Sequence, residues 1–133
     1  MTITELVQQA HRNARSKGFH DEPTSLPTGI ALIHSELSEA LEAHRNGNIM
    51  ELVDKMRMKN FVECIQGEDI EQDCQDCIDN CFLDYKDSME IELADAVIRI
   101  ADLCGLLEID LESCIKAKMI YNKTRPRLHG KSY

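Results

Sequence analysis

The chain of 133 residues has no tryptophan and six aromatic residues in all, three tyrosines and three phenylalanines. A surface that reads nucleobases by stacking needs aromatic or arginine planes. Phe19, Phe82 and Tyr121 are the candidates here, and nothing in the pattern singles one out. Three prolines and six glycines leave few breaks, and strand-like alternation of apolar and polar residues is absent. No apolar run approaches the roughly 20 residues of a membrane-spanning helix. Acidic residues are missing altogether after Glu112, where Lys116, Lys118, Lys123, Arg125, Arg127 and Lys131 lie. The last 21 residues therefore carry +6 and the preceding 112 carry −15, within a net charge of −9. An acidic body argues against general nucleic-acid binding. The basic end either grips something smaller and anionic or forms a solvated helix face and tail.

What is present describes an ordinary globule, 43% apolar and 29% charged, read as one domain over residues 1–133. The opening "MTITELVQQAHRNARSKGF" is amphipathic and carries Glu5, so it reads as a helix of the mature protein, with the cytoplasm as the expected compartment. Six cysteines in such a compartment point to thiols rather than disulfides. Cys64, Cys74, Cys77 and Cys81 fall in one acidic stretch, and their C-x2-C-x3-C spacing admits zinc. Ile70, Cys74, Cys77, Cys81 and Tyr85 equally follow the spacing of a buried helical seam in which cysteine acts as a small hydrophobe.

The periodicity predicts an all-α helical bundle. A first helix runs from about Thr2 to Ser16 and closes at Gly18; a loop "FHDEPTSLPTG" follows. A second helix reaches Arg45 and stops at "NGN", where Gly47 suits a left-handed cap. Helical pieces at 49–66 and 70–86 are parted by Gly67. The helix of "SMEIELADAVIRIADLCG" is expected to end at Gly105, and Asp110 to cap a last helix that Pro126 terminates.

Two of these helices carry acids in the wrong place. Along "IHSELSEALEAHR", Glu36 falls inside the apolar arc formed by Ile30, Leu32, Ile33, Leu37, Ala40, Leu41 and Ala43, with Glu39 at its edge. An unpartnered carboxylate there is costly when ionised. In the later helix Glu92, Asp95, Arg99 and Asp102 share an arc of about 80°, and most of the remaining surface is apolar. Each anomaly alone has a plain account: Glu36 paired with a buried cation, the second stripe a narrow solvent face. Together they place carboxylates at i and i+3 on two helices, which aims each pair at one point beside its helix. Four converging carboxylates require cations, and oxygen-only ligands suit Mg²⁺ or Mn²⁺. A di-iron bundle would need Glu-x-x-His, and no histidine stands three residues after a glutamate.

"ELSE" (36–39), "ELAD" (92–95), their flanks "GIALIHSELSEALEAHR" and "IELADAVIRIADLCG", and the ending "KMIYNKTRPRLHGKSY" resemble the MazG-like all-α NTP pyrophosphatase superfamily. The resemblance covers most of the chain outside a helical insert at about 48–87 between the two acidic-motif helices. It implies Mg²⁺-dependent cleavage of a nucleoside triphosphate between the α and β phosphates. It also implies Glu36, Glu39, Glu92 and Asp95 as metal ligands and Lys118, Asn122 and Arg125 as the triphosphate-binding set, with Lys123 and His129 nearby. Glu36 or Glu39 is the expected general base. The family resemblance further implies a homodimer or homotetramer. Glu39 and Glu92 stand 53 positions apart, more than is usual in that family, which bears on substrate choice and assembly. Phosphoribosyl-ATP pyrophosphohydrolysis and a non-catalytic nucleotide-binding module are the alternatives.

Overall fold

A computed structural model describes residues 1–64, 82–130 and 132. Among the described residues every regular element is helical: α1 (Ile3–Ser16), α2 (Leu26–Arg45), α3 (Leu52–Cys64), α4 (Met89–Leu106) and α5 (Leu111–Thr124), then a 3-10 turn at Arg127–Gly130. The expected all-α class is therefore observed. The seam of Ile70, Cys74, Cys77 and Cys81, with either of its readings, lies outside the described residues. No described helix is long and apolar enough to cross a membrane. The chain divides into two compact units, Leu26–Val97 and Met1–Ser25 with Ile98–Tyr133.

In the unit Leu26–Val97, α2 starts at Leu26, three residues before the end of the expected loop. Pro27 explains the difference: in the first turn its missing N–H has no helical acceptor to lose. The other end of α2 closes as the sequence predicts. Gly47 takes φ +72, its N–H donates to the His44 carbonyl at 3.1 Å, and Asn48 N–H donates to the Ala43 carbonyl at 2.8 Å. The buried seam of α2 is Glu36, Ala40 and Ala43, with Ile33 half-buried; Ile30, Leu32, Leu37 and Leu41 stay exposed. On α4, Glu92 and Ala96 are buried and Asp95 half-buried, while Leu93 and Val97 are exposed. The acidic stripe is thus no solvent face. Alanines at the seam leave room for carboxylates, and the bulky apolar residues point the other way.

In the other unit, α1 opens with a capping box. Thr2 Oγ1 accepts from Glu5 N–H at 3.1 Å and Glu5 Oε2 accepts from Thr2 N–H at 2.6 Å, which satisfies two donors the helix itself cannot. Asp110 caps α5 by accepting from Ser113 N–H at 3.0 Å. Glu112 then ties α5 to α1, accepting from the backbone and hydroxyl of Thr4 at 3.0 and 2.8 Å. The Lys116 ammonium and these Thr4 donors hold the Glu112 carboxyl down at about 2.

Gly105 does not end its helix. The helix runs on to Leu106, and the left-handed residue is Glu108, at φ 54, with Ile109 N–H donating to the Cys104 carbonyl at 2.9 Å. Gly105 serves close packing instead: a Cβ there would stand 2.5 Å from the His11 Cβ on α1. Gly105→Ala should therefore cost roughly 1–3 kcal/mol through overpacking, read as a lower urea midpoint with an unchanged slope. Glu112 sets a pH dependence whose sign follows from its lowered pKa. Its contribution is present above the ordinary value of 4.5 and is lost as pH falls toward about 2. Acid unfolding curves of Glu112→Gln should show a weaker loss of stability across that window than the wild type.

Candidate metal centre

Three of the four expected carboxylates come together from α2 and the first turn of α4, and Asp95 is outside the group. Glu36 projects from the alanine seam of α2, and Glu39 follows one turn on; both belong to a helix that ends in the tight Gly47 turn. Glu92 sits on the fourth residue of α4. One carboxylate oxygen from each of Glu36, Glu39 and Glu92 lies within 4.8 Å of the others.

Polar contacts near the start of α4 fix this register. Asn48 Nδ2 donates to the Asp87 carbonyl at 2.6 Å, and Met89 N–H donates to the Asn48 carbonyl at 3.0 Å. Glu90 accepts from Met50 N–H at 3.0 Å and pairs with Lys55 at 3.1 Å. Burial pushes the Glu90 carboxyl up, but the Met50 and Glu90 backbone N–H groups and Lys55 outweigh it and leave the pKa lowered. Glu90 is thus a settled anion that clamps the turn, while Glu92 two residues later faces the opposite situation. The sequence singled out neither Asn48 nor Glu90 for this role. "NGN" reads as a helix stop and Glu90 as a dipole partner, because a contact between positions about 40 apart has no local signature.

Glu36 and Glu92 are each only 7% exposed, whereas Glu39 is open to solvent and accepts from the Ser35 hydroxyl at 3.1 Å. Burial first, then the charges of Glu39, Asp95 and Glu36, raises the Glu92 pKa. Asp95, one turn further along α4, adds its charge to this field and is half-buried. Taking up a proton or holding a cation would lower the energy of such a cluster. Its donor set is oxygen throughout, which fits a hard ion of the Mg²⁺ or Mn²⁺ kind.

The expected phosphate-binding residues belong to the unit that contains α5. Lys118 Nζ lies 5.0 Å and the Arg125 guanidinium 5.7 Å from the centre of the Tyr121 ring. Asn122 is exposed beside them, and its carbonyl accepts Arg125 N–H at 3.2 Å to close the helix. Lys123 is exposed as well. This is a cationic surface organised around one tyrosine.

No family model, curated protein or solved structure matches the chain.

Glu92 offers a direct check. Its raised pKa means that, without metal, stability falls as pH rises from the ordinary value of 4.5 toward the folded-state value. Glu92→Gln should therefore raise the melting temperature of the metal-stripped protein at neutral pH by a few degrees. It should also remove most of the additional rise that Mg²⁺ or Mn²⁺ produces in the wild type. Calorimetry with and without metal reads both effects.

Proposed function

We propose that the protein is a Mg²⁺-dependent nucleoside triphosphate pyrophosphohydrolase of the MazG-like kind, converting NTP or dNTP and water to the monophosphate and pyrophosphate. The observation that carries this reading is the convergence of Glu36, Glu39 and Glu92 oxygens within 4.8 Å from two helices. Support comes also from the resemblance of "ELSE", "ELAD" and the basic ending to that superfamily.

The chemistry follows from charge. A polyphosphate is repelled by bare carboxylates, so the acids need a cation before they can serve a substrate of the same sign. Bound Mg²⁺ would reverse the local sign and make a coordinated water more acidic. In this reading Glu36, Glu39, Glu92 and Asp95 are the ligands, supported by the alanine seam and by the contacts of Asn48 and Glu90. Glu39, the exposed member, would accept the proton of the attacking water as the water oxygen bonds to the α phosphorus and the bridging oxygen leaves with pyrophosphate. Lys118, Asn122 and Arg125 would bind the phosphate oxygens, the guanidinium in a bidentate manner and the ammonium as a point charge. Tyr121 holds both cations and offers a ring face, so it is the strongest of the three aromatic candidates for base contact.

A homodimer or homotetramer belongs to the same proposal. Leu41 on α2 and Val97 on α4 are 50% and 51% exposed, and Ile30, Leu37 and Leu93 are similarly open. Faces of this kind are covered by apolar partners in stable proteins, and a second copy of the chain supplies one.

Incubation with Mg²⁺ and a panel of NTPs, dNTPs and phosphoribosyl-ATP should release pyrophosphate from at least one member. Glu39→Gln should slow kcat by about 10²-fold or more while the protein remains folded. A folded, metal-loaded wild type that releases pyrophosphate from none of them contradicts the proposal.

A further inference from the structure

A second ligand cluster lies in the unit of α1 and α5, and the pyrophosphohydrolase reading makes no use of it. His11 on α1 and His20 in the turn after Gly18 converge on Asp102 of α4. His11 Nδ1 stands 2.9 Å from Asp102 Oδ1, and His20 Nε2 stands 2.8 and 3.1 Å from Oδ1 and Oδ2. The ring centres are 5.1 Å apart and the planes inclined at 50°, so the rings do not stack; their nitrogens meet at the carboxylate. All three side chains are largely sheltered, at 21%, 16% and 22% exposure. Gly105 contributes by absence, since any side chain there would displace His11. A cavity of about 340 Å³, lined by His11, Cys104, Gly105 and Asp110 among others, opens beside the cluster.

From this geometry we infer that His11, His20 and Asp102 form a binding site for a transition-metal ion of the Zn²⁺ class, separate from the carboxylate centre. One ligand atom from each residue lies within 4.8 Å of the others. Two imidazoles and a carboxylate are a borderline donor set, which prefers Zn²⁺, Co²⁺ or Ni²⁺ to Mg²⁺. Tetrahedral ligands about 2.0–2.1 Å from zinc stand about 3.3 Å apart, so each ring nitrogen, at 2.9 and 2.8 Å, needs to separate from Asp102 Oδ1 by only about half an ångström. A ring N–H donated to the carboxylate would hold each ligand ready before metal binds. To ligate, the ring nitrogen that faces the metal supplies its lone pair and the other nitrogen carries the ring's proton. Three protein ligands leave a fourth position for water or an exogenous donor, and the neighbouring cavity gives that donor room.

Co²⁺ titration of the full chain, followed by its ligand-field absorption and by displacement with Zn²⁺, tests the inference. One equivalent should bind, and His20→Gln or His11→Gln should weaken binding by more than the 10–100-fold that loss of a supporting outer contact costs. A Glu36→Gln, Glu39→Gln double variant should keep the site, which separates this result from failure of the pyrophosphohydrolase reading. As a measurement that needs no variant, Zn²⁺ should shift the ring NMR signals of His11 and His20 and leave those of His34 and His44 in place. A folded wild type with no tetrahedral Co²⁺ band, or a band that persists unchanged in both histidine variants, overturns the assignment. So does a Zn²⁺ response confined to other histidines.

Discussion

Three carboxylate oxygens held within 4.8 Å of one another repel, and two of the three side chains have little water to screen them. At about 5 Å and an effective dielectric of about 20, each ionised pair costs on the order of 3 kcal/mol. Small domains have only about 5–15 kcal/mol of stability in total. Access of Glu39 to solvent lowers its share, but the cluster remains a concentrated source of destabilisation in an apoprotein. Something in the fold must hold the acids together, and a bound cation would offset their repulsion.

The fold meets the first need with short side chains and polar clamps. Ala40, Ala43 and Ala96 form a buried surface that admits carboxylates beside the helix backbones. Asn48 and Glu90 fasten the start of α4 to the turn after α2, so neither helix can slide to relieve the repulsion. Two glutamates two residues apart on one helix therefore have opposite fates. Glu90 is anchored by backbone N–H groups and Lys55 with its pKa lowered, while burial and like charges raise that of Glu92. The leucines and valine on the outer faces are left exposed.

Much of this was legible in the sequence, because period and chemistry are local properties. Helical spacing placed Glu36 in an apolar arc, and of the four i, i+3 acids expected to converge, Glu36, Glu39 and Glu92 do. Gly47 and Asp110 announced their caps through backbone and side-chain preferences that act over a few residues. Pro27 and Gly105 misled for a common reason. Each is a helix breaker by propensity, yet Pro27 stands where no N–H is needed, and Gly105 stands where α1 comes too close for a Cβ. The meeting of His11, His20 and Asp102 was illegible because about 80 to 90 residues separate the partners, and each looks ordinary on its own helix or loop. The cysteine seam lies outside the described residues, so the contest between packing and zinc stays as the sequence left it.

Electron paramagnetic resonance of Mn²⁺ added to the stripped protein tests the central claim most directly, since free hexaaqua Mn²⁺ gives a sharp signal that protein binding suppresses. Suppression by the wild type at neutral pH, abolished when Glu36, Glu39 and Glu92 are all changed to Gln, is the result this account predicts. A correctly folded wild type that leaves the free-ion signal at full strength, or a triple variant that suppresses it equally well, would contradict it.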